Sequence, residues 1–232
     1  MTERYAPNTE NHLPAAEIAR IDTIAETALK YMKGLPDAYT RWLDMVTSES
    51  EMANFKKYLE NRVLFDLGNG GMISADSSVG KFLLKCNALK YVGVDRSDTK
   101  LPVTQPAEAQ VYTIADIQAE QINGDMLAFL ARQPADSGNI MVNGIDNFVI
   151  EPWSQEAQLY LAELRRQIVR VLSVGGIVFG AHVDFIKELD KADEKMRKIE
   201  GMFNQSRGLR VLHPQDLYQD RAKYFTYEKM RN

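Results

Sequence analysis

Hydrophobic positions change period along this chain. From Pro14 onward, Ile18, Ile21, Ala25, Ala28, Leu29 and Met32 recur at helical spacing. Pro14 suits a first turn, and Gly34 with Pro36 makes a stop. Asp37–Val46 carries Tyr39, Trp42, Leu43 and Val46 on one side and predicts a second helix. Ser48 with Glu51 forms a capping-box pattern that opens a third, ending near Leu59. Residues 1–13 are polar and read as disordered. Beyond residue 60, short apolar runs alternate with amphipathic stretches. Strands are predicted at Val63–Leu67, Tyr91–Asp95, Ala119–Ile122, Ile140–Ile145, Gly175–His182, Arg210–Leu212 and Lys223–Glu228. Helices are predicted at Ser77–Ala88, Asp125–Arg132, Ser154–Leu172 and Phe185–Phe203. Gln110–Ile114 fits a short strand or a surface excursion. Strands alternating with helices point to an α/β domain whose parallel sheet is covered on both faces. The closing pair is close in sequence and could include an antiparallel strand.

Composition narrows the function classes. The chain has 232 residues, 45% of them hydrophobic, which is enough for one domain with a sizeable core. Its net charge is −4 and its pI about 5.5, a poor basis for bulk nucleic-acid binding. Lys187–Lys198 mixes both signs and reads as a solvated helix face. The first fifteen residues lack a signal peptide's apolar core, and no run approaches the ~20 apolar residues of a membrane span. One cysteine, Cys86, permits no intramolecular disulfide and fits a reducing compartment, so the expected location is the cytoplasm. Cys86 lies in an apolar helix and reads as a small buried hydrophobe. The three histidines, His12, His182 and His213, form no metal-ligand spacing with it, and no metal is expected.

The chemistry concentrates in Arg62–Asp98. Val63-Leu64-Phe65 ends in Asp66, then come the glycine-rich turn Leu67-Gly68-Asn69-Gly70-Gly71, a helix, and Tyr91-Val92-Gly93-Val94 ending in Asp95. Strand, glycine loop, helix, strand and acid is the front end of a nucleotide-type cofactor site. A dinucleotide fingerprint would need a third glycine at position 73, which is Ile73. The other pattern, an acid followed by L-G-x-G, is satisfied by Asp66-Leu67-Gly68-Asn69-Gly70.

At these residues the chain resembles the class I S-adenosylmethionine-dependent methyltransferases, over roughly residues 60–230. Asn123-Gly124-Asp125-Met126-Leu127 is similar to the family's G-D-hydrophobic turn, and Leu172-Ser173-Val174-Gly175-Gly176 to its L-x-x-G-G element. The resemblance implies a three-layer α/β sandwich with a mostly parallel seven-stranded sheet. Residues 61–232 would form the Rossmann-like cofactor-binding and catalytic domain, and residues 1–60 a helical cap. It implies S-adenosyl-L-methionine as cofactor and S-adenosyl-L-homocysteine as product. Asp66 would face the ammonium and sulfonium, Gly68, Asn69 and Gly70 the close backbone approach, Asp95 the ribose hydroxyls, and Asp125 and Met126 the adenine. Asn143 would lie where the methyl group meets its acceptor, with Asp146 or His182 as a base. The chain departs from the family in a longer loop over Met72–Ser78, in Gly71-Met72 after the glycine turn, and in Asn139 where an acid often stands.

Structural roles compete at several positions. Asp66 could cap loop backbone, Asp95 could pair with Arg96, and Asp125 could cap a helix. Asp146 could serve the loop alone, and His182 with Asp184 could be a structural hydrogen-bonding group. Tyr39, Trp42, Phe55 and Trp153 could line a lid or simply pack on the sheet. The expected function is methyl transfer to an oxygen or nitrogen of a small-molecule acceptor. The alternative is a catalytically inactive relative acting as a binding or regulatory module. A nicotinamide-dependent oxidoreductase is a weaker third reading. An exposed last strand could pair two copies into a homodimer.

Overall fold

The structure, a computed structural model, describes residues 11–29, 49–96, 109–142, 154–181, 208–212 and 224–231. Five helices lie there: α1 (Ala15–Leu29), α2 (Glu49–Leu59), α3 (Ser78–Cys86), α4 (Met126–Arg132) and α5 (Gln155–Val171). Eight strands join one sheet: β1 (Val63–Leu67), β2 (Lys90–Asp95), β3 (Gln110–Ile114), β4 (Ile117–Asn123), β5 (Asn139–Val142), β6 (Ile177–Ala181), β7 (Leu209–Val211) and β8 (Tyr224–Lys229). The expected helices at 37–46 and 185–203, and the polar first ten residues, lie outside the described residues.

The sheet order is β3-β4-β2-β1-β5-β6-β8-β7. Strands β4, β2, β1, β5 and β6 run parallel, while β3, β8 and β7 each pair antiparallel with a neighbour. Eight strands replace the expected seven because 110–114 folds back on β4 as a hairpin. Ala115, with φ 54, turns that corner, and Ile114 pairs with Ile117 across it. The parallel part has the order of a doubly wound sheet, in which connections leave β1 on one side and β5 on the other. That reversal lies between β1 and β5.

Strand alternation builds two cores. Phe65, Leu67, Val92, Val94, Ile140, Val142 and Val178 face α1, α4 and α5. Leu64, Tyr91, Met141, Ile177 and Phe179 face α2 and α3. This is a three-layer α/β/α arrangement. Both leading helices are built into it: Ile21, Ala25 and Ala28 of α1 are buried in the first core, and Phe55 and Leu59 of α2 in the second. The Phe55 ring sits 5.3 Å from both Phe82 and Phe179. Cys86 is fully buried beside them, and burial pushes its thiol up to about 12.

Polar side chains tie the layers. Arg132 of α4 grips Asp22 of α1 with two bonds, Nη1 to Oδ1 at 2.8 Å and Nη2 to Oδ2 at 2.7 Å. Arg20 and Arg166 both hold Glu17 and Glu163, joining α1 to α5. Asn139, which has no solvent exposure, donates to Tyr58 O at 3.0 Å and accepts from Ile177 N at 2.8 Å. An amide serves both needs at once, a donor for α2 and an acceptor for β6, where a carboxylate would only accept. No helix among the described residues is long and apolar enough to cross a membrane.

Candidate functional site

The carboxyl ends of β1, β2 and β4 meet at one edge of the sheet. Phe65 pairs with Val92, Asp66 with Gly93 and Leu67 with Val94; Gly93 pairs in turn with Gln121, and Asp95 with Asn123. The backbone leaves β1 through Gly68, whose N–H donates to Val94 O at 2.7 Å. Gly68, Gly70 and Gly71 have φ of 80°, 75° and 127°, a run of left-handed positions that side chains rarely adopt. The strand ends in a tight turn that lifts the chain off the sheet before α3 begins.

The loop returns through Ser74 to Ser77, which caps α3. Ser77 Oγ accepts from Gly80 N at 3.0 Å and donates to Ser74 O at 2.6 Å. A Cβ at Gly80 would stand 2.0 Å from Ser74 O. The close helix–loop packing that a third loop glycine provides in dinucleotide folds is thus supplied from inside the helix.

Asp66 is 1% exposed and lies under this loop, on the α2–α3 face. The Tyr91 hydroxyl donates to its Oδ2 at 2.8 Å. Burial, and then the neighbouring carboxylate, push the Tyr91 phenol well above its ordinary value, so it stays a donor. Asn69 does not project from the turn. Its Nδ2 donates to Gln121 Oε1 at 2.7 Å and to Gly71 O at 2.6 Å, and Gln121 Nε2 donates back to Asn69 Oδ1 at 3.2 Å. The side chain occupies the space over Gly93, where a Cβ would come within 2.2 Å of Nδ2. Tyr112 of β3 adds a brace, its hydroxyl accepting from Ile73 N at 3.3 Å.

Asp95 closes β2, half-buried, and its carbonyl accepts from Gly124 N at 2.9 Å. Beside it Asn123 holds an Oδ1 that is buried and has no hydrogen-bond partner among the described residues. A lone acceptor at a strand end calls for a donor. Asp125 is the N-cap of α4. Its Oδ1 accepts from Leu127 N and Ala128 N, each at 2.9 Å, and its Oδ2 from the Tyr160 hydroxyl at 2.8 Å. Burial pushes its carboxyl above the ordinary carboxylate range, against the pull of these donors. Both oxygens are thus engaged between α4 and α5. Met126 begins that helix and packs against the first core.

The structure therefore gathers Asp66, Gly68, Asn69, Gly70 and Asp95 around one turn, with Asp125 and Met126 on the adjoining α4. Asn143, Asp146 and His182 lie outside the described residues, as do Tyr39, Trp42, Trp153 and His213. Among the described residues no cluster of His, Cys, Asp and Glu could hold a metal ion. Sequence reasoning missed Gly93, Gln121, Asn123 and Tyr160. Gly93 had a signal, a lone glycine inside an apolar strand marking close approach. Gln121 had a weaker one, a polar residue at an inward strand position.

No family model matches the chain, and no curated protein matches it. Solved structures are similar in outline. A Methanococcus maripaludis protein provisionally described as an S-adenosyl-L-methionine-dependent methyltransferase is 12% identical, covering 100% of this chain and 98% of its own, with a TM-score of 0.46. Haemonchus contortus phosphoethanolamine N-methyltransferase 2, with phosphomonomethylethanolamine and S-adenosylhomocysteine, is 12% identical, covering 90% of this chain and 58% of its own, with a TM-score of 0.45. Thermotoga maritima spermidine synthase is 9% identical, covering 82% and 59%, with a TM-score of 0.46. The chain thus spans under two thirds of the length of the last two.

Proposed function

We propose that the chain binds S-adenosyl-L-methionine and transfers its methyl group to an oxygen or nitrogen of a small-molecule acceptor. One observation carries the reading: the left-handed glycine turn at the end of β1 stands directly beside Asp95 at the end of β2, next to the sheet's reversal point. Ligands of open α/β sheets bind outside the carboxyl ends of the strands at such a point.

The residues suit this cofactor. Asp95 offers two acceptors to a vicinal diol. The Asn123 Oδ1, buried without a partner among the described residues, is an acceptor for a ligand hydroxyl or amine. Among the described residues nothing lies within 4 Å of where a Cβ on Gly71 would be. Asp66 and Asp95 give the edge a negative character that favours a ligand bearing ammonium and sulfonium charges, and no pyrophosphate needs neutralising.

When bound, the cofactor supplies an electrophilic methyl group on a sulfonium. The chain's part is to hold the acceptor nucleophile in line with the departing sulfur and to exclude water, where most of the rate arises. Asp146 or His182 would take the acceptor's proton, with Asn143 close to the transfer point. Residues 1–60 are the proposed source of acceptor selectivity, and the cytoplasm the proposed location.

A second reading is a non-catalytic binding module on the same fold. The engagement of both Asp125 oxygens inside the protein favours it, because the acid offered to adenine in the family is here a helix cap.

Calorimetric titration with S-adenosylhomocysteine, on the wild type and on Asp95→Ala, tests the proposal. Micromolar binding lost in the variant is expected. Absence of binding to the wild type overturns it. Tight binding without turnover on any acceptor selects the second reading.

A further inference from the structure

Asn69 is the only side chain between the left-handed glycines 68 and 70, and it points down into the sheet rather than out. It can do so because β2 carries no side chain at Gly93 and β4 carries an amide at Gln121. A Cβ on Gly93 would stand 2.2 Å from Asn69 Nδ2 and 2.7 Å from Gln121 Oε1. The two carboxamides exchange hydrogen bonds in both directions, 2.7 and 3.2 Å long, while Asn69 Nδ2 also reaches Gly71 O at 2.6 Å. Gln121 is 8% exposed, and its Nε2 also reaches Ile122 O at 3.4 Å.

We infer that Gln121 is a positioning residue for the ligand: through Asn69 it fixes the glycine turn in the shape that receives the amino-acid end of an adenosyl ligand. The inference rests on the methyltransferase reading above. Glycines make the turn possible but leave it many conformations, and a ligand would have to order them. A turn ordered beforehand by an internal amide pair spares the ligand that cost. The pair has three properties that such a role requires. It reaches the loop from β4, across β2, it binds a backbone carbonyl of the loop itself, and a glycine on the strand between makes room for it. Its effect falls on whatever lies under residues 68–71, so ligand parts seated elsewhere along the sheet edge are indifferent to it.

The experiment is calorimetric titration of the full chain and of Gln121→Met, which keeps the side chain's length and removes its amide. Two probes are used: S-adenosylhomocysteine, and 5′-methylthioadenosine, which lacks the amino-acid end. Circular dichroism melts accompany each variant. For Gln121→Met, S-adenosylhomocysteine affinity is expected to fall about tenfold and methylthioadenosine affinity by less than about twofold. Asn69→Ala provides a second variant should Gln121→Met not fold, with the same expected split, and the double variant is expected to lose no more than either single. Equal losses for both probes, or an unchanged S-adenosylhomocysteine affinity, overturn the role of Gln121 and leave the cofactor reading standing. A wild type that binds neither probe overturns the cofactor reading and this role with it.

Discussion

The Tyr160 hydroxyl donates to Asp125 Oδ2 at 2.8 Å, so the acid that caps α4 is anchored to the second turn of α5. Tyr160 has no solvent exposure and Asp125 is 6% exposed. Tyr160→Phe leaves a buried carboxylate oxygen short of a donor and is expected to cost about 1–3 kcal/mol in urea unfolding. Asp125→Asn keeps an oxygen for the two backbone N–H groups of the cap, and is expected to be milder than Asp125→Ala.

The grip of Arg132 on Asp22 is bidentate but about a third open to solvent on the arginine side. Arg132→Met is expected to lower stability by about 1–2 kcal/mol, the strength of charged hydrogen bonds reduced by screening. The loss should shrink in high salt, as urea midpoints measured at low and high ionic strength will show.

Phe55 of α2 is wholly buried between Phe82 and Phe179. Phe55→Ala is expected to cost about 3–5 kcal/mol, the usual toll of removing a core aromatic ring. The same urea titration measures it. A loss below about 1 kcal/mol would mean that α2 is not part of the core.

Hydrogen bonds from Arg20, and then from Arg166, hold the Glu17 carboxyl down to about 2 from an ordinary 4.5. A carboxyl lowered in the folded state stabilises it above the unfolded value, and the contribution fades as pH falls from about 4.5 towards 2. Glu17→Gln is therefore expected to be less stable than the wild type at pH 6, with the two converging near pH 2. Thermal melts across that range read the difference.

Much of this was legible in the residues. Asp66-Leu67-Gly68-Asn69-Gly70 announced the turn, because only glycine tolerates repeated left-handed backbone. Alternating strands and helices announced the layered sheet. The β3 hairpin was ambiguous because Gln110–Ile114 has only five residues and mostly exposed side chains, so neither period nor burial marked it. The direction of Asn69 was hidden for a different reason: it depends on Gly93 and Gln121, which are distant in sequence and adjacent only once β1, β2 and β4 are in register. Asp125 shows the limit of motif reading. Its position next to Gly124 matched a ligand acid, while its capping bonds and Tyr160 come from the folded context. The orphan Asn123 acceptor is likewise visible only when its neighbours are in place.

Cys86 is the chain's single thiol, and it is sealed in the core between α2, α3 and the sheet. A thiol reagent can reach it only when those helices separate; while they stay closed, burial holds the thiol up near 12 and keeps its proton on. Its modification rate under native conditions is thus a clock for opening of that face, set by the wild-type chain without an added label. If ligand binding slows that clock, the free energy of binding extends through α3 into the core beneath it.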